Sequence, residues 1–167
     1  MKQALKFTLT TALLALSFAP GLTGLDKAKV KAEIQKAVGH FMDPNLRSSD
    51  CQTAFLLLVG AVEQAAPESG FPASFGATIT KARQVFESTS IMNRDGVNLL
   101  NEAYAAINDG LAFRFPEQLT GPDAILAYSE KLSAGAQKSL EAGQTGAAVK
   151  SVLEILLMIV TPVQATH

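Results

Sequence analysis

Residues 152–162 read VLEILLMIVTP, and outside the first twenty residues no stretch of the chain is more apolar. Such a run must be sheltered, in lipid or against protein. Lys150 and Glu154 interrupt it and Pro162 ends it, short of the roughly 20 apolar residues that a helix needs to cross a bilayer. It therefore reads as a core helix over about 145–161. Val149, Val152, Leu156, Ile159 and Val163 share one stripe, and Leu153, Leu157 and Val160 form a second beside it. A helix with so wide an apolar face needs an equally apolar neighbour. AFLLLVGAV, residues 54–62, is apolar all round and is expected to pack against it, as a central helix or beneath a partner.

The remaining periodicity is also helical, with apolar residues recurring at three and four and no alternating strand pattern. A first helix is expected over 27–41, capped by Asp26, with Val30, Ile34, Val38 and Phe41 inward and its lysines outward. The second starts at the caps Ser48 and Ser49 and stops before Pro67. The third covers 74–87, with Phe75, Ile79, Ala82 and Phe86 inward. The fourth begins at Asn93, carries Val97, Leu100, Tyr104, Ile107 and Leu111 on one face, and closes at Gly110. Its other face holds Asn98, Asn101, Glu102, Ala105 and Asn108, an unusual set because asparagine is a poor helix former and a solvated face is more often Glu and Lys. The fifth opens at Gly121-Pro122 with Ile125, Tyr128, Leu132, Ala136 and Leu140 inward. AGQTG then turns it into an antiparallel hairpin with the sixth. The fold class expected is all-α, an antiparallel bundle of five to six helices following a cleavable signal peptide.

That leader is residues 1–24. Lys2 and Lys6 precede the uncharged apolar stretch Phe7–Ala19, and the small residues of APGLTG follow. This order marks a secretory signal, with cleavage after Gly21 or Gly24. Residues 25–167 then form one helical domain, exported to the periplasm or the cell exterior. Of 14 Lys and Arg residues, two lie in the leader, which leaves 12 against 15 Asp and Glu, a net charge of −3. A chain without basic excess is not built to hold nucleic acid. The single cysteine, Cys51, forms no disulfide within the chain. It shares a stripe with Phe55, Leu58 and Val62, so it is either a buried small hydrophobe or pairs between chains.

Residues for familiar chemistries are missing from the pattern. NRDGVNLLNE resembles part of a calcium loop, but its first ligand position falls on Ile91, which offers no oxygen. His40 and His167 are the only histidines, too few with one cysteine for zinc. Met42, Met92 and Met158 are available to join a histidine as axial haem ligands, but no CxxCH is present for covalent attachment. No nucleophile elbow is present, and the spacing of Glu63, Glu68, Glu87, Glu102 and Glu117 singles out no acid–base pair. No cofactor or metal is expected.

Two loops stand out instead: PESGFPASF, with Phe71 and Phe75, and GLAFRFPEQLTGP, with Phe113, Arg114 and Phe115. If successive helices alternate in direction, both loops lie at one end of the bundle. The four phenylalanines either plug that end or line an apolar site whose rim carries Arg114. These five residues are the candidate ligand or partner site. The leading functional expectation is an exported, soluble, non-catalytic binding or interaction protein of the cell envelope. A carrier of a small apolar or anionic ligand comes second, and an enzyme of unassigned reaction third.

Overall fold

A computed structural model describes residues 24–161. Residues 1–23 of the expected leader, and Val163 and His167, fall outside the described residues. Six α-helices and no strand occur among the described residues: α1 Lys27–Phe41, α2 Ser48–Ala65, α3 Ala73–Ser88, α4 Arg94–Ile107, α5 Pro122–Glu141 and α6 Thr145–Val160. A 3-10 turn, Ala66–Glu68, extends α2.

Local chemistry sets most boundaries. The Asp26 carboxylate accepts from the Lys29 N–H at 3.0 Å and opens α1. Asn93 Oδ1 accepts from the N–H groups of Asp95 and Gly96 at 2.9 and 3.2 Å and opens α4. Gly110 (φ 78°) and Gly143 (φ 75°) take the left-handed conformation that lets the chain leave α4 and α5. The expected serine caps of α2 are corrected: Arg47 is the cap residue and makes no side-chain capping bond, while Ser48 and Ser49 lie inside the first turn. Asp50 supplies that turn with the negative charge its exposed N–H groups favour.

The helices form two layers. In one, α2 lies between α1 and α3; in the other, α6 lies between α5 and α4. Across the layers α1 covers α5, α2 covers α6 and α3 covers α4. The two most apolar helices are thus the central pair, as their composition required. Phe55, Leu58 and Val62 of α2 are buried together with Val152, Leu153 and Leu156 of α6. Phe86 closes against Phe55 edge-on, with centroids 4.9 Å apart at 78°.

The inward face of α5 differs from expectation. Ala136 and Leu140 are buried, but Ile125, Tyr128 and Leu132 are only half-buried, and Ser129 and Ser133 take the buried line. Ser129 satisfies its hydroxyl on the Ile125 carbonyl at 2.9 Å, so a small polar residue enters the interface without an unmet bond. On α6, Ile159 is half-buried at the helix end. Cys51 is likewise half-buried rather than buried, because its stripe runs out at the start of α2.

Helix directions follow from paired contacts. Lys31 meets Glu141 and Gln35 meets Gln137, so a step forward on α1 is a step back on α5. Tyr104 meets Glu154 and Asn108 meets Lys150, so α4 opposes α6 in the same way. The 142–144 turn makes α5 oppose α6 as well. Hence α4 and α5 run parallel, and the expected strict alternation fails at this one connection. The physical reason is its length: residues 108–121 can reach roughly 45 Å when extended, against about 21 Å for the fourteen residues of α4. The segment crosses from one end of the bundle to the other.

Candidate functional site

The five residues singled out by the sequence are divided between two places. Phe71 and Phe75 form an edge pair with centroids 5.2 Å apart. Phe75 is buried at 1 % exposure, and Phe71 lies over the start of α6, where a Cβ on Gly146 would stand 3.5 Å from its ring. Phe113 packs perpendicular to Tyr104, with centroids 5.6 Å apart. Phe115 is half-buried, and Arg114 is exposed with no ion pair among the described residues. No aromatic pair among the described residues joins the two loops. Both loops leave from the same end of the bundle, and the second continues across it to the start of α5.

Around Phe113 lies a polar cluster that sequence reading did not assemble. The Tyr104 hydroxyl donates to Glu154 Oε1 at 3.1 Å. Lys150 Nζ donates to Asn108 Oδ1 at 2.9 Å and stands 5.9 Å from the centre of the Tyr104 ring. Asn108 in turn donates to the Leu111 carbonyl at 3.2 Å. Burial, reinforced by the Glu154 charge, pushes the Tyr104 phenol up to about 12. At neutral pH this phenol is a fixed donor, not a base. The cluster fastens the start of the crossing segment to α6 and uses the two charges that interrupt the apolar run of that helix. Their signal in the sequence was that interruption itself. Asn108, expected on an outer face, is thereby turned toward α6, and Asn101 returns its amide to its own helix at the Val97 carbonyl.

The other feature is a groove between α1 and α5. The two helices are tied by the Lys31–Glu141 ion pair and by Gln35 Nε2 donating to Gln137 Oε1 at 2.7 Å. Lys31 holds the exposed Glu141 carboxyl below the usual carboxylate range. Past Gln35 no further hydrogen bond or ion pair among the described residues joins α1 to α5. The opening holds about 350 Å³. Gln35, Val38, Gly39 and Met42 form one wall; Glu130, Ser133, Ala134 and Gln137 form the other. Val38 and Ser133 floor it, Ser133 accepting from Gln137 Nε2 at 3.2 Å. Met42, 39 % exposed, overhangs its open end. Neither helix advertised this site: Val38 read as core, and Gln35, Gly39, Glu130, Ala134 and Gln137 read as an ordinary solvated face.

A void of about 10 Å³ lies between Val30, Ile34, Val62 and Val149, room for about one water and no more. Among the described residues no three His, Cys, Asp or Glu side chains gather as metal ligands, and no helix is long and apolar enough to cross a membrane. No protein-family model, curated protein or solved structure matches the chain.

Proposed function

We propose that this chain is an exported, non-catalytic binding protein of the cell envelope that engages a partner protein through the α1–α5 groove. The observation that carries the reading is the contrast between the small void beneath α1 and the open surface groove. A carrier encloses most of its ligand's surface, usually in a pocket of several hundred Å³. The interior void here is more than an order of magnitude smaller. The groove is large enough for side chains of a partner, and Met42, adaptable and polarisable, overhangs it. The Phe71–Phe75 and Phe113–Tyr104 pairs support the plugging role for the phenylalanines, because each is packed against the core.

Export is proposed on the leader: two lysines, an uncharged apolar stretch and small residues before Asp26. The domain begins with Leu22 or Leu25 after its removal. The test places a photo-crosslinking residue at Ala134 in the groove and, as control, at Lys81 on the exposed side of α3. The expected result is a discrete partner captured from the envelope fraction by the first and not the second. Native mass spectrometry showing a stoichiometric small molecule and no protein partner would overturn the reading in favour of a carrier.

A further inference from the structure

Among the described residues, the fold takes hold of the chain at Leu25. Its N–H donates to Glu68 Oε1 at 2.8 Å, its carbonyl accepts from the Lys27 N–H at 3.0 Å, and its half-buried side chain packs against the core. Gly24, one residue earlier, is exposed and makes no hydrogen bond among the described residues. It is also a small residue of the kind a leader peptidase accepts before its cut. We propose that the leader is cut at the Gly24–Leu25 bond and that the amine so freed is seated on Glu68 as an ion pair, an inference that rests on the export reading above. Hydrolysis there adds one water across the amide. Gly24 departs with the new carboxylate, and the Leu25 nitrogen takes up a proton to become an ammonium group. The donor that stands 2.8 Å from the Glu68 carboxylate thereby gains a positive charge, and a neutral amide contact becomes a charge-assisted ammonium–carboxylate pair. A cut after Gly21 would leave this nitrogen a neutral amide.

The charges at this end of the bundle call for such a partner. A free α-amine titrates near about 8 and is mostly protonated at neutral pH. Here it stands just before α1, where the unpaired N–H groups of the first turn already present positive potential. Lys27 and Lys29 follow, and the first turn holds no acid. Asp26 is the one carboxylate on that side, and it accepts from the Lys29 N–H as the helix cap. On the end of α5 that meets this part of α1, Glu141 is held by Lys31 and Lys138 adds a further cation. Glu68 is left. It has no ion pair among the described residues, and it lies on the 3-10 turn that extends α2, 43 residues from Leu25 in the chain. The pair therefore ties the first residue of the processed chain to the end of α2.

The experiment isolates the mature chain from the exported fraction and reads its start by N-terminal sequencing and intact mass. It then follows acylation of the α-amine by an activated ester at pH 7, located by peptide mass spectrometry. The expected start is Leu25. Only the unprotonated amine reacts, so a carboxylate that holds the ammonium slows labelling. Glu68→Gln keeps an oxygen acceptor and removes the charge; it is expected to speed labelling about two- to fivefold, the range an exposed pair supplies. Glu102→Gln, the same charge change on the exposed face of α4, is expected to leave the rate unchanged. Both glutamates are exposed, so circular dichroism of the variants is expected to match that of the unaltered chain. A chain prepared to begin at Leu22 is expected to label at a rate indifferent to Glu68→Gln, because its Leu25 nitrogen is still an amide. A natural start at Leu22 would overturn the inference and leave export standing, whereas a retained Met1 would overturn both. A Leu25 start with no change of rate in Glu68→Gln, or with equal acceleration by Glu68→Gln and Glu102→Gln, would overturn the ion pair.

Discussion

Gly146→Ala and Gly60→Ala are the same substitution in two helices, and the structure assigns them opposite signs. Each removes backbone freedom from the unfolded chain, which by itself stabilises by about 0.4–1 kcal/mol. At Gly60 a new Cβ meets nothing within 4 Å, so the whole gain is expected to appear. At Gly146 the Cβ would stand 2.6 Å from the Ser69 carbonyl oxygen, roughly 0.8 Å inside ordinary contact. That oxygen is backbone, and the turn holding it is braced: Ser69 N–H donates to the Ala66 carbonyl, and Phe71 N–H to Ser69 Oγ, each at 3.2 Å. Relief requires the turn to shift and loosen Phe71 from Phe75. Overpacking of this kind costs about 1–3 kcal/mol, which exceeds the entropic gain. Urea denaturation of the three proteins reads both effects, and each kcal/mol is worth about 2–4 °C in a thermal melt at this size. Gly60→Ala is expected to raise the midpoint and Gly146→Ala to lower it. If Gly146→Ala stabilises as much as Gly60→Ala, the close approach of the Ser69 turn to α6 is refuted.

Leu156→Ala, at a fully buried position between the layers, is expected to destabilise by about 2–5 kcal/mol, while exposed Lys29→Ala leaves the denaturation midpoint almost unchanged; equal midpoints would show the wrong face was assigned. The Tyr104 phenol sits near 12 in the folded chain and near 10 unfolded, so the unfolded state releases its proton first and stability falls as pH rises between those values. Up to about 2–3 kcal/mol present below pH 10 is lost by pH 12. Tyr104→Phe is expected to flatten that part of the curve, and denaturation at pH 9 and pH 12 with identical losses in both proteins would refute it. Phe113→Ala is expected to lower stability by about 1–3 kcal/mol through the lost contact with Tyr104, and Arg114→Ala to change it by less than about 0.5 kcal/mol, both read in urea. The proposed export predicts that N-terminal sequencing of the mature chain begins at Leu22 or Leu25, and a retained Met1 would sink the leader assignment.

Sequence alone determined the helices and which of them are central. Spacing at three and four placed Val30, Ile34, Phe86, Leu100 and Leu156 inward, and all five are buried. Asp26, Asn93 and Gly143 marked ends because caps and left-handed turns are local chemistry, settled within a few residues. What tertiary structure decided is everything that depends on direction and on distance between helices. Strict alternation was the simplest rule for the five connections, and it failed at 108–121, where the chain is long enough to cross the bundle; the rule carried no term for that length. The packing of α4 against α6 gathers Tyr104, Asn108, Lys150 and Glu154, residues up to 50 apart in the chain. The groove was invisible for the same reason. Most of its lining residues read as ordinary surface, and only the placing of α1 beside α5 makes an opening of them. Local interactions are written in neighbouring residues; a space between helices belongs to neither helix, and it exists only once both have been placed.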